Sequence, residues 1–179
     1  GYPMFVKAMM DSLIPDCDIE FVNRGISGNR VRDLRARWKE DCLDIMPDVL
    51  SVLIGINDVW RRFDRSDPTT AEAYEKDYRF ILEETVKAIP HIKIIILEPF
   101  VLPYPEDRLA WREDLDPKIQ AARKLASEFK ANYIPLDGIF AKAEILSTPQ
   151  KWAGDGVHPT PSGHALIAQK FIEELDTML

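Results

Sequence analysis

An aspartate and a histidine near the C-terminal end of the chain have the types and the spacing of a catalytic pair. Asp155 precedes His158 by three positions within the stretch WAGDGVHP, residues 152–159. The glycines and the proline exclude a regular helix interior, so the stretch is a shaped loop in which the carboxylate can reach the ring N–H of the histidine. That contact would fix the tautomer and leave the other ring nitrogen free to accept a proton from a nucleophile. The alternative, commoner for an isolated pair of this kind, is a surface aspartate that caps a turn beside a solvated histidine.

Two stretches further upstream supply candidate hydrogen-bond donors for an oxyanion. Gly25 opens the sequence GISGN at residues 25–29, and Asn57 lies in the sequence GIND at residues 55–58. The backbone N–H of Gly25 and the side-chain amide of Asn57 could converge where negative charge develops in a transition state, and one such donor is worth about 3 kcal/mol. In the alternative interpretation, Gly25 supplies a positive φ angle and Asn57 caps a turn.

The elements that must position these residues alternate between strands and helices along the chain. The predicted strands are residues 18–23, 49–54, 93–97 and 133–136, and the predicted helices are residues 3–13, 31–46, 70–89, 115–130, 140–146 and 161–175. This order predicts a three-layer α/β domain with a parallel sheet. Ligands of such sheets bind at the carboxyl ends of the strands, where all three stretches are expected. The loop at residues 98–113 is too long for a simple connection and is expected to help shape the site.

Composition excludes several classes of partner. The 179 residues have the size of one domain, and the net charge of −7 argues against binding to nucleic acid or to an anionic membrane. No apolar run approaches the roughly 20 residues that span a bilayer. Two cysteines, Cys17 and Cys42, are too few for a disulfide scaffold, so we expect free thiols and a cytoplasmic protein.

Three blocks of this sequence resemble a known family. Residues 23–29 (NRGISGN), 55–58 (GIND) and 155–159 (DGVHP) resemble, in order and separation, the second, third and fifth blocks of the SGNH (GDSL) hydrolases. The adjoining sequences VRDL and VWR are most similar to the small acetyl esterases of that family, which deacetylate xylan and its fragments. The resemblance implies a flavodoxin-like five-stranded sheet and ester hydrolysis without a metal or cofactor.

The same resemblance implies a role for each matching residue. His158 would be the general base, Asp155 its orienting partner, and Gly25 and Asn57 the oxyanion donors. The substrate would be a small acyl ester, possibly of an acetylated sugar, and a homo-oligomer is possible. Further candidates for the substrate pocket are Trp60, Trp152 and Val157, although contact with another subunit is equally open for Trp60 and plain packing for Trp152. No further ligands accompany the Asp-His pair, which argues against a metal site.

One block of the family pattern is absent. No Gly-Asp-Ser sequence occurs in the chain, which begins at Gly1 with a predicted helix where the pattern has a strand and the nucleophile turn. We therefore expect residues 1–179 to be a single domain that lacks its N-terminal strand, with the serine upstream of Gly1. Ser27 is the only serine in a candidate site loop, and it lacks the context of a nucleophile elbow. Two hypotheses remain: a serine esterase acting on short acyl groups, or a binding protein that lacks the nucleophile. An unrelated flavodoxin-like module is a weaker third, because the glycine loop has neither the P-loop lysine nor the dinucleotide spacing.

Overall fold

A three-stranded parallel sheet lies at the centre of the molecule. The computed structural model describes residues 1–178. The strands are β1 (Val49–Leu53), β2 (Lys93–Leu97) and β3 (Asn132–Ile134), and they lie side by side in that order. Leu53 is opposite Leu97, and Leu97 is opposite Ile134, so the three strands end level with one another. Loops that leave the carboxyl ends of the strands therefore start from one edge of the sheet.

Helices cover both faces of the sheet. They are α1 (Tyr2–Leu13), α2 (Val31–Trp38), α3 (Ile56–Arg65), α4 (Ala71–Ala88), α5 (Arg112–Phe129), α6 (Leu136–Leu146), α7 (Pro149–Trp152) and α8 (Pro161–Asp176). A π-helical turn at Lys39–Leu43 extends α2, and a 3₁₀ helix at Glu106–Trp111 precedes α5. Within residues 1–178, no helix is both long and apolar enough to cross a membrane.

The alternation of side chains along β2 separates two cores. Ile95 and Leu97 point to one face, where they pack with residues of α1, α6 and α8. Ile94 and Ile96 point to the other face and pack with residues of α2, α4 and α5. All four side chains are buried, which explains why β2 is an almost uninterrupted apolar run in the sequence. The three-layer α/β class predicted from the sequence is confirmed.

A third, smaller core lies beside the level ends of the strands. Its buried members come from α3, from α5 and its approach, and from two loops: Val59, Val101, Trp111, Leu115, Ile119 and Val157. Val101 follows β2, and Val157 lies one residue before His158. This cluster joins the loop that follows β2 to the loop that carries the Asp-His pair.

The strand predicted at residues 18–23 is wrong. These residues have no regular secondary structure, and β1 is an edge strand of the sheet among the described residues. A strand exists only through its ladder of hydrogen bonds, so an apolar pattern without a neighbouring strand remains irregular. Residues 1–178 form three strands, where the family resemblance implied five.

None of the helices predicted from the sequence covers residues 56–65, which is also wrong, because these residues form α3. Asp64 and Arg65 at its end are exposed, whereas Asp58 in its first turn is buried. The helix ends where Ser66 adopts a left-handed conformation with φ of 51°. Gly55 precedes α3 with φ of 129°, and a Cβ there would lie 3.1 Å from the Tyr74 hydroxyl. Gly55 therefore permits the sharp turn from β1 into α3, which places Asn57 in the first turn of that helix.

A buried carboxylate joins α3 to the start of α2. Asp58 is fully buried, and its Oδ2 accepts the backbone N–H of Val31 at 3.1 Å. Burial raises the pKa of Asp58 to about 6, although the bond from Val31 and the charges of Lys118 and Arg30 act in the opposite direction. Because only Arg30 separates Val31 from the GISGN loop, this contact fixes the end of the loop relative to α3.

We predict that Asp58→Asn changes how stability depends on pH. The folded protein holds the Asp58 proton more tightly than the unfolded chain does, since its pKa moves from 3.8 to about 6. The stabilisation from this group is thus fully present below pH 3.8 and is lost as pH rises through 6. The free energy of unfolding of the wild type minus that of the variant should fall by up to about 3 kcal/mol between acidic and neutral pH. Urea unfolding at a series of pH values measures the difference, and a difference that stays constant or rises with pH would contradict the assignment.

Candidate active site

Residues 153–160, which we call the Asp-His loop, connect α7 to α8. The two ends of the loop are held together by an antiparallel bridge between Ala153 and Pro159. The hydroxyl of Thr160 accepts the N–H of Gly163 at 3.2 Å and so caps α8. The loop is therefore closed at its base, and its aspartate and histidine lie on a short, constrained segment.

Asp155 and His158 are in direct hydrogen-bond contact, as the sequence predicts. Oδ2 of Asp155 lies 2.7 Å from Nδ1 of His158. The other oxygen, Oδ1, accepts the backbone N–H of His158 at 2.9 Å and that of Val157 at 3.2 Å. An ionised carboxylate can only accept, so Nδ1 carries the hydrogen and Nε2 of the neutral ring is left as a proton acceptor.

Hydrogen bonding keeps Asp155 ionised. Partial burial acts to raise the pKa of Asp155, but the bond with the His158 side chain and the two backbone N–H bonds outweigh burial and lower it. The carboxylate is thus negative at neutral pH, where it can stabilise a positive charge on the imidazole. The His158 side chain is 67% exposed, so the ring is open to a substrate.

The loop that follows β2, residues 98–111, packs closely on the Asp-His loop. The N–H of Leu102 donates to the carbonyl of Gly156 at 2.8 Å. Gly156 has φ of 86°, and a Cβ at this position would lie 2.1 Å from the carbonyl oxygen of Tyr104. Only glycine permits this approach, so the identity of residue 156 fixes how the two loops meet.

An aromatic cluster supports the imidazole. The Trp60 ring lies 5.4 Å from the His158 ring and also 5.4 Å from Trp111, between ring centroids. Phe63 stacks on Trp111 at 5.2 Å. Trp60 comes from α3, so the structure brings this predicted pocket residue next to the histidine.

The two predicted oxyanion donors are engaged with local acceptors. The N–H of Gly25 donates to Oδ1 of Asn23 at 3.0 Å, and Nδ2 of Asn57 donates to the carbonyl of Asn29 at 3.1 Å. Among residues 1–178, no hydrogen bond joins Gly25 to Asn57 or to His158. The Asn57 amide retains a second N–H beyond the bond to Asn29.

The other predicted pocket residues differ in their surroundings. Trp152 donates its ring N–H to the carbonyl of Ala143 at 3.1 Å and packs against the α1–α8 core, which agrees with the packing alternative. Val157 is buried and borders a cavity of about 110 Å³ beside the ends of β1 and β2. Ser27 is exposed, and within the described chain it makes no hydrogen bond with His158.

Sequence reasoning missed the immediate partners of the site residues. Asn23 lies two residues before Gly25, so its proximity was a usable signal, whereas the contact of Asn29 with Asn57 depends on the tertiary fold. Arg108, which contacts both the Asp-His loop and the tryptophans, had no signal beyond its place in a long loop.

Comparison with known proteins decides the family. The family model of the GDSL-like lipases/acylhydrolases matches residues 2–166. The chain belongs to this family. The resemblance predicted from the sequence is confirmed, and the chain is a GDSL-type carboxylic-ester hydrolase.

Relatives of this GDSL hydrolase include carbohydrate esterases. An acetylxylan esterase from Geobacillus stearothermophilus is 35% identical, over 98% of this chain and 80% of the relative. The crystal structure of an acetylxylan esterase from the same organism has a TM-score of 0.86 at 32% identity and again covers 98% and 80%. A candidate GDSL-like lipase from Parabacteroides merdae has a TM-score of 0.91 at 36% identity, with coverage of 98% of this chain and 82% of the other.

We predict that Gly156→Ala damages this GDSL hydrolase while Gly154→Ala does not. An alanine at 156 would be strained by the positive φ and by contact with Tyr104, which should lower the free energy of unfolding by about 2–4 kcal/mol. A Cβ at Gly154 meets nothing within 4 Å, so its replacement should change stability by less than about 0.5 kcal/mol. Denaturant unfolding of both variants provides the measurement. Equal effects at the two positions would show that the contact with Tyr104 does not constrain the loop.

Proposed function

We propose that this protein is a serine esterase that removes acetyl groups from carbohydrates, with the serine supplied by residues upstream of Gly1. The observation that carries the proposal is the 2.7 Å contact between Asp155 and His158, which in this proposal would be two thirds of a hydrolytic triad. The acetylxylan esterase relatives support the acyl group and the carbohydrate. In the Geobacillus stearothermophilus enzyme, alanine variants of a histidine and of a serine are catalytic mutants.

The arrangement would perform hydrolysis in two steps. The serine oxygen attacks the ester carbonyl carbon while Nε2 of His158 takes the hydroxyl proton, and the negative charge of Asp155 stabilises the imidazolium. The tetrahedral intermediate collapses, and the alcohol leaves with that proton. Water then attacks the acyl-enzyme, again through His158, which releases acetate and restores the serine.

The edge of the sheet offers a position for the strand that would carry the serine. β1 has a strand neighbour on one side only among the described residues, and four of its five side chains are only half-buried. Parallel pairing of an upstream strand along this edge, as in the rest of the sheet, would place the carboxyl end of that strand at the same rim as the Asp-His loop. Residues 1–179 would then be the larger part of a single domain.

The N–H of Gly25 would have to change its partner when the substrate binds. In this proposal the N–H of Gly25 exchanges Asn23 for the substrate oxygen, and Asn57 uses its second N–H. A developing oxyanion accepts a stronger, charge-assisted hydrogen bond than a neutral side-chain amide does, so the exchange favours the transition state over the ground state.

Two further predictions from the sequence accompany the proposal. We propose a cytoplasmic location, which agrees with the free state of Cys17 and Cys42. A homo-oligomer also remains a prediction, for which large exposed apolar side chains such as Ile145, 83% exposed, are a candidate surface.

The decisive experiment is hydrolysis of a chromogenic acetate ester by the protein expressed with the residues that precede Gly1 in its gene. His158→Ala should lower kcat/KM by a factor of about 10³–10⁶, because the general base is lost. His91→Ala is the matched control, since His91 lies in the exposed turn before β2, and its activity should match the wild type. Hydrolysis that persists in His158→Ala would rule out the proposed base. An upstream sequence without a nucleophilic serine, together with an inactive protein, would favour the binding-protein alternative.

A further inference from the structure

Arg108 contacts the Asp-His loop and takes no part in the proposed hydrolysis. It belongs to the 3₁₀ helix at Glu106–Trp111, and its side chain is only 12% exposed. Its Nε donates to the main-chain carbonyl of Asp155 at 3.2 Å. The arginine therefore bonds the backbone of the same residue whose carboxylate holds His158.

The guanidinium of Arg108 is itself held by aromatic rings. Its central carbon lies 4.1 Å from the ring centroid of Trp111 and 5.4 Å from that of Trp60. Trp60 in turn lies 5.4 Å from the ring of His158. The guanidinium group thus contacts both the backbone of Asp155 and Trp60, the tryptophan beside the imidazole.

We propose that Arg108 is a positioning residue for the Asp-His pair. Its Nε–H fixes the peptide of Asp155, and its guanidinium plane keeps Trp60 against the imidazole. The inference rests on the proposed esterase function for its catalytic consequence, although the positioning itself concerns only the geometry of the pair.

Shape rather than charge makes an arginine necessary here. Arg108 forms a salt bridge with Asp107 at 2.7 Å, and its bond to Asp155 is to the carbonyl oxygen rather than to the carboxylate. A lysine keeps the positive charge, but it cannot place a flat group over two indole rings while it donates from the middle of the side chain. Lysine should therefore fail as a replacement.

The test compares Arg108→Lys and Arg108→Met with Arg62→Ala. Arg62 is a matched control because it also lies over a ring of the aromatic cluster, 5.5 Å from the Phe63 centroid. Its salt bridges are with Glu113 and Asp114, outside the Asp-His loop. In the protein with its upstream residues, both Arg108 variants should lose about 10- to 100-fold in kcat on a chromogenic acetate, because a small misplacement of catalytic groups is costly. KM should change by less than about twofold, and Arg62→Ala should keep wild-type values within about twofold.

A second readout does not require activity. Two-bond ¹H–¹⁵N correlation spectra of the histidine rings, at a pH where the rings are neutral, report which nitrogen of His158 carries the hydrogen. The wild type and Arg62→Ala should show the Nδ1–H tautomer, whereas both Arg108 variants should show a mixture of tautomers. Thermal unfolding identifies a variant that fails to fold, and the other Arg108 variant then decides.

Two results would overturn the inference. Wild-type kcat and tautomer in Arg108→Met would show that the arginine positions nothing, and the same result in Arg108→Lys alone would show that charge suffices. If the wild-type protein does not hydrolyse the ester, the proposed function fails, while the tautomer measurement still decides the positioning role.

Discussion

The packing of Gly156 against the main chain of residues 102–104 is the constraint on which the rest of the site depends. It joins the segment that follows β2 to the segment that precedes α8, although the two segments are far apart in the sequence. The contact needs a residue without a Cβ, and the hydrogen bond from Leu102 fixes its register. Once the two loops are joined, the carboxylate of Asp155 has little choice of position, because two backbone N–H groups of its own loop hold one of its oxygens.

The same packing also determines the electrostatic interaction between Asp155 and His158. A carboxylate on a mobile surface loop would hydrogen-bond mainly to water, and its electrostatic interaction with a nearby histidine would be weak. Here one oxygen is satisfied by the backbone and the other is aimed at the imidazole, so the arrangement favours the charged carboxylate despite its partial burial. The orientation of the histidine therefore follows from local backbone geometry, with the tryptophan of α3 as a second support.

The sequence predicted the features that depend on local pattern. β1 and β2 were found because apolar residues run through them. The Asp155–His158 contact was found because only two residues separate the pair and glycines at positions 154 and 156 shape the loop. The strand at residues 18–23 failed because strands need a partner, which a one-dimensional pattern cannot supply. α3 was missed because the second half of its sequence is strongly polar, with Asp64 and Arg65 exposed. No role could be assigned to Arg108 from the sequence, since its contacts with Asp155 and the tryptophans are formed only by the tertiary fold.

The two halves of the site differ in how complete they are. The half with Asp155 and His158 is held by contacts from its own loop, from the loop after β2 and from α3, so it needs no further partner to keep its shape. The half with Gly25 and Asn57 is satisfied internally by Asn23 and Asn29, and its donors point to neutral acceptors. In the proposed mechanism the N–H of Gly25 costs little to release, because one neutral hydrogen bond is exchanged for a stronger bond to an anionic oxygen. Under the proposed function, the half that would accept the proton is preorganised before any substrate arrives, whereas charge stabilisation would be gained only as charge develops. This is the order that differential binding of a transition state requires.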